Sequence, residues 1–183
     1  MLRSEPVTKK TKQLKEIKRL YNASFPDNER IPWFRLFSQL DESRVMQAWS
    51  DDDILIGLTY VFLHKDIAYL GYLAVEENMR GRGYGSMILK QLQNDLNDYR
   101  MVIDIEVVTE DAENYEERKM RRDFYLRNDF APTGVGYYFF HVDYELLSYN
   151  GAISAEDYRD LIRKHWGPFA AHAVFKELEP TAV

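Results

Sequence analysis

The chain has 183 residues, 45% of them hydrophobic, which is enough for one well-packed domain and short for two. A formal net charge of -6 leaves no positive surplus to displace counterions from phosphates, and this argues against a general nucleic-acid binder. Because no cysteine is present, disulfide frameworks, thiolate catalysis and cysteine-ligated zinc are excluded.

Residues 1–18 alternate basic and polar side chains without an apolar core, so no signal peptide is expected. No stretch approaches the length of a membrane span, no membrane partner is expected, and the default location is cytoplasmic. Leu14, Ile17, Leu20 and Tyr21 recur at helical spacing and predict a helix with one buried face that ends near Ser24. A loop with two prolines, Pro26 and Pro32, leads into a short helix with Pro32 in its first turn and Trp33, Leu36, Phe37 and Leu40 on one face. Phe25, Trp33 and Phe37 are read mainly as core packing. Residues 45–49, 54–64 and 67–75 predict an antiparallel meander of strands. Asp51, Asp52 and Asp53 lack the glycine and closing glutamate of a calcium loop and read as a solvated turn.

The third strand runs into Glu76-Glu77-Asn78-Met79-Arg80-Gly81-Arg82-Gly83-Tyr84-Gly85-Ser86 and leaves as a helix marked by Ile88, Leu89, Leu92 and Leu96. Gly81, Gly83 and Gly85 carry no side chains to hold a ligand away from the backbone, so main-chain N–H groups can face an anion. A helix starting near Ser86 would aim its unpaired first-turn amides and positive dipole end at the same place, and Arg80 and Arg82 add positive charge. The spacing is neither the G-x-G-x-x-G of dinucleotide folds nor a nucleotide-triphosphate loop, which would need a following Gly-Lys-Ser/Thr.

Residues 101–108 alternate strictly, placing Met101, Ile103, Ile105 and Val107 on one face and Val102, Asp104, Glu106 and Val108 on the other. Two carboxylates on one face require either a cleft or partners such as nearby arginines. A helix over 115–128 and strands over 134–140 and 143–149 follow. Beyond residue 150, Ser154-x-x-Asp157 reads as a capping box that opens a helix reaching His165, an appended lid or packing element, with 180–183 frayed. His64, His141, His165 and His172 include no pair at a helical metal-ligand spacing, so no metal is expected and His165 and His172 are read as structural.

Two motifs carry a family resemblance. Arg80-x-x-Gly83-x-Gly85 resembles the R/Q-x-x-G-x-G/A signature of the GNAT family of N-acetyltransferases, and Phe124-Tyr125-x-x-x-Asp129-Phe130 resembles that family's F/L-Y-x-x-x-G-F. The resemblance covers about residues 14–149 and implies an α/β (α+β) fold, a mixed and mainly antiparallel sheet flanked by helices. Residues 1–149 would then form the acetyltransferase domain and residues 150–183 a C-terminal helical extension packed on it. It also implies an acyl-CoA-dependent N-acyltransferase, transferring acetyl directly from acetyl-CoA, its co-substrate, to a primary amine of a small molecule or protein. The pyrophosphate would lie on Arg80, Gly81, Arg82, Gly83, Tyr84, Gly85 and Ser86. The pantetheine arm would pair with Leu73, Ala74 and Val75, and a backbone N–H near Val75 would polarise the thioester carbonyl.

Tyr125 would be the general acid for the departing thiolate, its reference pKa near ~10 keeping it protonated at neutral pH. Glu106 is the first candidate for the base, Asp104 the alternative, and Glu76 or Glu77 could attract a cationic substrate. Two departures from the family pattern stand out. Asp129 occupies a turn position where glycine is usual, tolerable because Asp accepts the left-handed conformation. Arg118 and Arg121 stand where asparagine and alanine are common, with Arg122 adjacent; they could contact phosphates, pair with Asp104 and Glu106, or form a solvated face. The partner expected is a small-molecule or peptide amine. Tyr137, Tyr138, Phe139 and Phe140 suit pairing into a homodimer and core packing equally well. A non-catalytic acyl-CoA-binding or sensing module, and a structural protein with an empty glycine turn, are the alternatives.

Overall fold

The computed structural model describes residues 1–26, 30–139 and 141–167. In chain order its elements are β1 (Leu2–Pro6), α1 (Leu14–Ser24), α2 (Trp33–Ser38), β2 (Arg44–Asp51), β3 (Ile54–His64), β4 (Ile67–Val75), α3 (Tyr84–Asp95), β5 (Arg100–Glu106), α4 (Tyr115–Arg127), β6 (Ala131–Phe139), β7 (Val142–Tyr149) and α5 (Ala155–Trp166). The strands form a seven-stranded sheet in the order β1-β2-β3-β4-β5-β7-β6. Its β4–β5 pair is parallel, while β1–β2, β2–β3, β5–β7 and β6–β7 are antiparallel. A parallel pair needs a crossover, and α3 supplies it. The fold class is thus the mixed, mainly antiparallel α/β arrangement expected from the sequence.

Internal contacts divide the chain into two compact units: Met1–Leu63 with Leu70–Asn94, and His64–Tyr69 with the chain from Asp95 onward. In the first unit, Ile17, Leu20 and Tyr21 of α1 and Leu36 of α2 are buried with Met46 and Ala48 of β2, Leu55, Leu58 and Tyr60 of β3, and Tyr72 and Ala74 of β4. Tyr21 is held at its polar end, its hydroxyl donating to the Ile31 carbonyl at 2.8 Å, while the Ile31 N–H donates to the Tyr72 hydroxyl at 3.0 Å. Phe25, Trp33 and Phe37 pack, partly buried, against this core, as their apolar character suggests. Phe34 instead points outward and is 76% exposed. Pro32 is the residue before α2, not part of its first turn. The strand β1 lies inside the N-terminal stretch of alternating basic and polar residues, where no strand was expected; it pairs with β2 from Leu2↔Asp51 to Pro6↔Gln47 at the sheet edge. Edge pairing needs backbone groups only, so no apolar alternation marks it.

In the second unit, β5 lies between the first residues of β4 and all of β7, pairing Ile67–Tyr69 with Arg100–Val102 and Met101–Glu106 with Tyr149–Tyr144. Met101, Ile103 and Ile105 are buried on one face, and Asp104 and Glu106 are partly buried on the other. The strand ends at Glu106, two residues before the expected end, although the Val107 N–H still donates to the Asp143 carbonyl at 2.8 Å. The α5 helix begins as a reciprocal capping box, with Ser154 Oγ accepting from the Asp157 N–H at 3.1 Å and the Asp157 carboxylate accepting from the Ser154 N–H at 3.2 Å. Its buried face is Tyr158, Leu161 and Ile162. Ion pairs fix it further: Lys65 to Asp160 at 2.6 Å, and Arg100 to Asp157 at 3.0 Å. Phe140, His172 and the 180–183 end fall outside the described residues. No helix among the described residues is long and apolar enough to cross a membrane.

Candidate functional site

The glycine loop lies in the first unit. Gly81 and Gly83 have φ of 73° and 82°, a left-handed conformation that only glycine takes without a Cβ penalty. A Cβ built on either would meet nothing within 4 Å, so the loop backbone faces open space. The α3 helix starts at Tyr84, two residues before the expected Ser86, and Met87 N–H closes its first turn on the Gly83 carbonyl at 3.0 Å. The N–H groups of Tyr84, Gly85 and Ser86 are therefore first-turn donors at the positive end of the helix. Ile88, Leu89 and Leu92 are buried and hold that end in place.

Around the loop, the Arg80 Nε donates to the Val75 carbonyl at 3.2 Å, folding the side chain back on the strand end, while Arg82 is exposed. Neither guanidinium has a carboxylate partner among the described residues, so their charge is available to an anion. The Tyr84 hydroxyl donates to Asp51 at 2.9 Å, and that bond raises the tyrosine above its ordinary pKa. Asp51 is thus not simply part of a solvated turn: it ties the first turn of α3 to the end of β2. Asp52 and Asp53 do form the turn, both at positive φ. Glu76, a candidate lure for a cationic substrate, is ion-paired with Arg19 and is committed to α1. Leu73, Ala74 and Val75 close β4, beyond the three residues that pair with β5. The Ala74 carbonyl lies 2.4 Å from where a Cβ on Gly57 would sit, so β3 needs glycine at that position.

The remaining candidates belong to the second unit. Tyr125 lies on α4 and packs edge-on against Phe124 and Phe130, with ring centroids 5.1 and 5.5 Å away. The helix ends as its motif predicts: Asp129 takes φ of 66°, and the Phe130 N–H returns to the Tyr125 carbonyl at 3.2 Å. Burial pushes the Tyr125 hydroxyl up to about 12, with the Arg121 charge opposing and the Asp104 charge adding. That hydroxyl has no hydrogen-bond partner among the described residues.

Glu106 is differently placed from what a base requires. Arg118 pairs with its Oε1 at 3.0 Å and Arg121 with its Oε2 at 3.0 Å, while the Asn114 amide donates to Oε2 at 3.3 Å. Both oxygens are engaged by cationic donors, which leaves little capacity to accept an amine proton and assigns Glu106 to anchoring α4 on β5. Arg118 also donates to the Val107 carbonyl at 3.0 Å, and Arg122 pairs with Glu145 at 2.8 Å. Of the pairing expected with Asp104 and Glu106, the Glu106 half is found, with Arg118 and Arg121; Arg122 pairs with Glu145 instead, and Asp104 has no arginine partner among the described residues.

Asp104 has other company. Its Oδ1 accepts from the Tyr69 hydroxyl at 2.8 Å; its Oδ2 accepts from Tyr158 at 3.2 Å and from Tyr137. The three tyrosines come from β4, β6 and α5, separated by tens of residues, so no spacing in the chain announces the cluster. Tyr137 is buried within the fold, stacked on Tyr144 and Tyr158 with centroids 5.0 and 5.7 Å away. No group of three or more His, Cys, Asp or Glu suited to a metal occurs among the described residues.

A glycine loop that opens a helix at the end of a central strand of a mixed α/β fold, flanked by arginines without carboxylate partners among the described residues, is an arrangement that suits an anion. The profile of the Acetyltransferase (GNAT) family matches residues 14–130, more than half of the chain, and the chain belongs to that family. Its structure is similar to a Bacteroides thetaiotaomicron protein assigned as a GNAT-family acetyltransferase, with a TM-score of 0.75 and 22% identity over 91% of this chain and 99% of that one. It is also similar to the ribosomal-protein-S18-alanine N-acetyltransferase of Escherichia coli, with a TM-score of 0.61 and 14% identity over 86% and 98% of the two chains. A third similar structure is a GNAT-family acetyltransferase from Elizabethkingia anophelis with acetyl-CoA bound, with a TM-score of 0.56 and 16% identity over 81% and 97%. No curated protein matches the chain by sequence.

Proposed function

We propose that the protein is an acetyl-CoA-dependent N-acyltransferase that passes the acyl group directly to a primary amine of a small molecule or peptide. The observation that carries this reading is the loop 80–86. Two left-handed glycines and three first-turn amides border open space there, beside Arg80 and Arg82, which have no carboxylate partner among the described residues, in a chain of the GNAT family. That donor set suits a pyrophosphate, and the backbone of Leu73–Val75 suits an amide-bearing arm running beside a strand. Acetyl-CoA would supply an activated acyl thioester.

In the overall exchange a C–N bond forms, a C–S bond breaks, the amine gives up one proton and the sulfur gains one. Tyr125 is suited to the sulfur side. Held at about 12, its hydroxyl stays protonated throughout the neutral range, but it is a weaker acid than an ordinary thiol near ~8.5. It therefore stabilises the departing sulfur as a hydrogen-bond donor and passes a proton only as the amine replaces it. The ion pairing of Glu106 favours the second reading, a non-catalytic acyl-CoA-binding module, to the extent that no other group receives the amine proton.

Calorimetric titration with acetyl-CoA and CoA tests the cofactor assignment. Micromolar binding is expected for the native chain, with a loss of roughly tenfold in Arg82→Ala and a larger one in Gly83→Asp, where a carboxylate is placed at a left-handed position facing the ligand. Absence of binding to either ligand would remove the acyltransferase reading. Binding without amine-dependent thiol release would leave the binding module.

A further inference from the structure

Among the carboxylates on the neighbouring strands β5 and β7 of the second unit, Asp104, Glu106 and Glu145 are partly buried, and they are not equivalent. Glu106 is neutralised by Arg118 and Arg121, and Glu145 by Arg122. Asp104 is paired with no cation among the described residues and is held instead by three neutral tyrosine hydroxyls. A carboxylate offers about four lone-pair sites. Two donors fill Oδ2 and one occupies Oδ1, so one acceptor site on Oδ1 is left over.

The charge and the geometry together select what fits that site. The group is a partly buried, fixed negative charge, oriented by donors from β4, β6 and α5, and a charge so placed favours a cation that brings its own N–H. Its field reaches Tyr125, because the Asp104 charge contributes to the tyrosine's shift. Glu106, two residues along the same face, offers nothing similar: its two guanidinium partners would repel a cation.

Resting on the N-acyltransferase reading above, we infer that Asp104 is the recognition site for the acceptor, binding a compact primary ammonium group through the remaining acceptor site of Oδ1. The acceptor class is then an alkylammonium, such as a lysine-type side chain or a small aliphatic amine, in preference to an arylamine or a hydroxyl acceptor. Tyr69, Tyr137 and Tyr158 are positioning residues that orient the carboxylate.

The test uses the full chain labelled with carbon-13 at the tyrosine Cζ, its resonances assigned by Tyr69→Phe, Tyr137→Phe and Tyr158→Phe. It is titrated with n-butylammonium chloride and with the neutral isostere n-butanol, each with and without CoA. Saturable shifts of the Tyr69, Tyr137 and Tyr158 resonances with the ammonium alone are expected, weakened ~tenfold or more in Asp104→Asn, since a charge-assisted hydrogen bond is lost. Tyr158→Phe keeps the charge and the ring and removes one orienting donor, so its ammonium affinity should fall by less than that of Asp104→Asn. Equal responses to butanol and butylammonium in the native protein would overturn the inference, whether or not Asp104→Asn folds; so would undiminished ammonium binding in a folded Asp104→Asn. CoA binding without an ammonium response overturns this inference alone. An ammonium response without CoA binding overturns the acyltransferase reading on which it rests.

Discussion

At the scale of single residues, the contrast between Tyr125 and Glu106 shows how environment assigns roles to motif positions. Both were expected to take part in proton transfer, yet the tyrosine hydroxyl has no partner among the described residues and the carboxylate has three. On the acyltransferase proposal, a hydroxyl that is partly buried, protonated and unengaged would donate as negative charge develops on sulfur, and general acids of this kind contribute on the order of 10²-fold or more. Tyr125→Phe keeps the edge-on packing against Phe124 and Phe130 and removes only the donor. The expected outcome in a thiol-release assay is a fall in kcat of roughly 10²-fold with the CoA dissociation constant changed less than about threefold. An unchanged kcat would show that Tyr125 is only the anchor of the turn at Asp129.

At the scale of elements, the end of β4 depends on its neighbour β3. The Ala74 carbonyl occupies the space of a side chain at Gly57, and the Ile88 side chain lies 3.2 Å from the same point. Gly57→Ala forces that carbonyl to move and costs on the order of 1–3 kcal/mol by overpacking. Because Ala74 belongs to the stretch suited to the pantetheine arm, the variant should weaken CoA binding as well as lower the urea midpoint. A lowered midpoint with native CoA affinity would separate the two. Most elements were legible in the sequence because apolar alternation or helical spacing marks them; β3 and β4 are found at their expected bounds, and the Ser154 capping box opens α5 as its spacing predicts. The strand β1 was not legible, since its pairing at the sheet edge uses backbone alone. The glycine loop and the left-handed Asp129 could be read from residue types, because backbone conformation restricts them. Which arginine meets which carboxylate, and the gathering of Tyr69, Tyr137 and Tyr158 on Asp104, are products of tertiary packing between distant segments, and no local pattern encodes them.

At the scale of the whole molecule, tyrosine burial sets the response to alkali. Burial raises Tyr21, Tyr60, Tyr125, Tyr137 and Tyr158 above the ordinary phenol value, and for Tyr137 and Tyr158 the Asp104 charge adds to it. A group whose pKa is raised on folding holds its proton in the native state after the unfolded chain has released it. Its stabilising contribution is complete below about pH 10 and declines as the pH climbs through the folded value. The melting temperature should therefore fall steeply between about pH 10 and about pH 12, accompanied by the absorbance of newly ionised phenolate. Titration of Tyr21, Tyr60, Tyr125, Tyr137 or Tyr158 near pH 10 in a chain that remains folded would contradict their placement.

The second unit is discontinuous: His64–Tyr69 is separated from its companions by the whole segment 70–94. During synthesis, Lys65, Asp104 and Arg100 emerge long before the Asp160, Tyr158 and Asp157 that complete their contacts. Domains close as their last required element leaves the ribosome. A released chain truncated after residue 149 would hold Asp104 with one hydroxyl missing and would leave Lys65 without its carboxylate and Arg100 with Asp66 as its only carboxylate. The α5 helix is thus a condition for completing a unit whose first residues, His64–Tyr69, were made long before it.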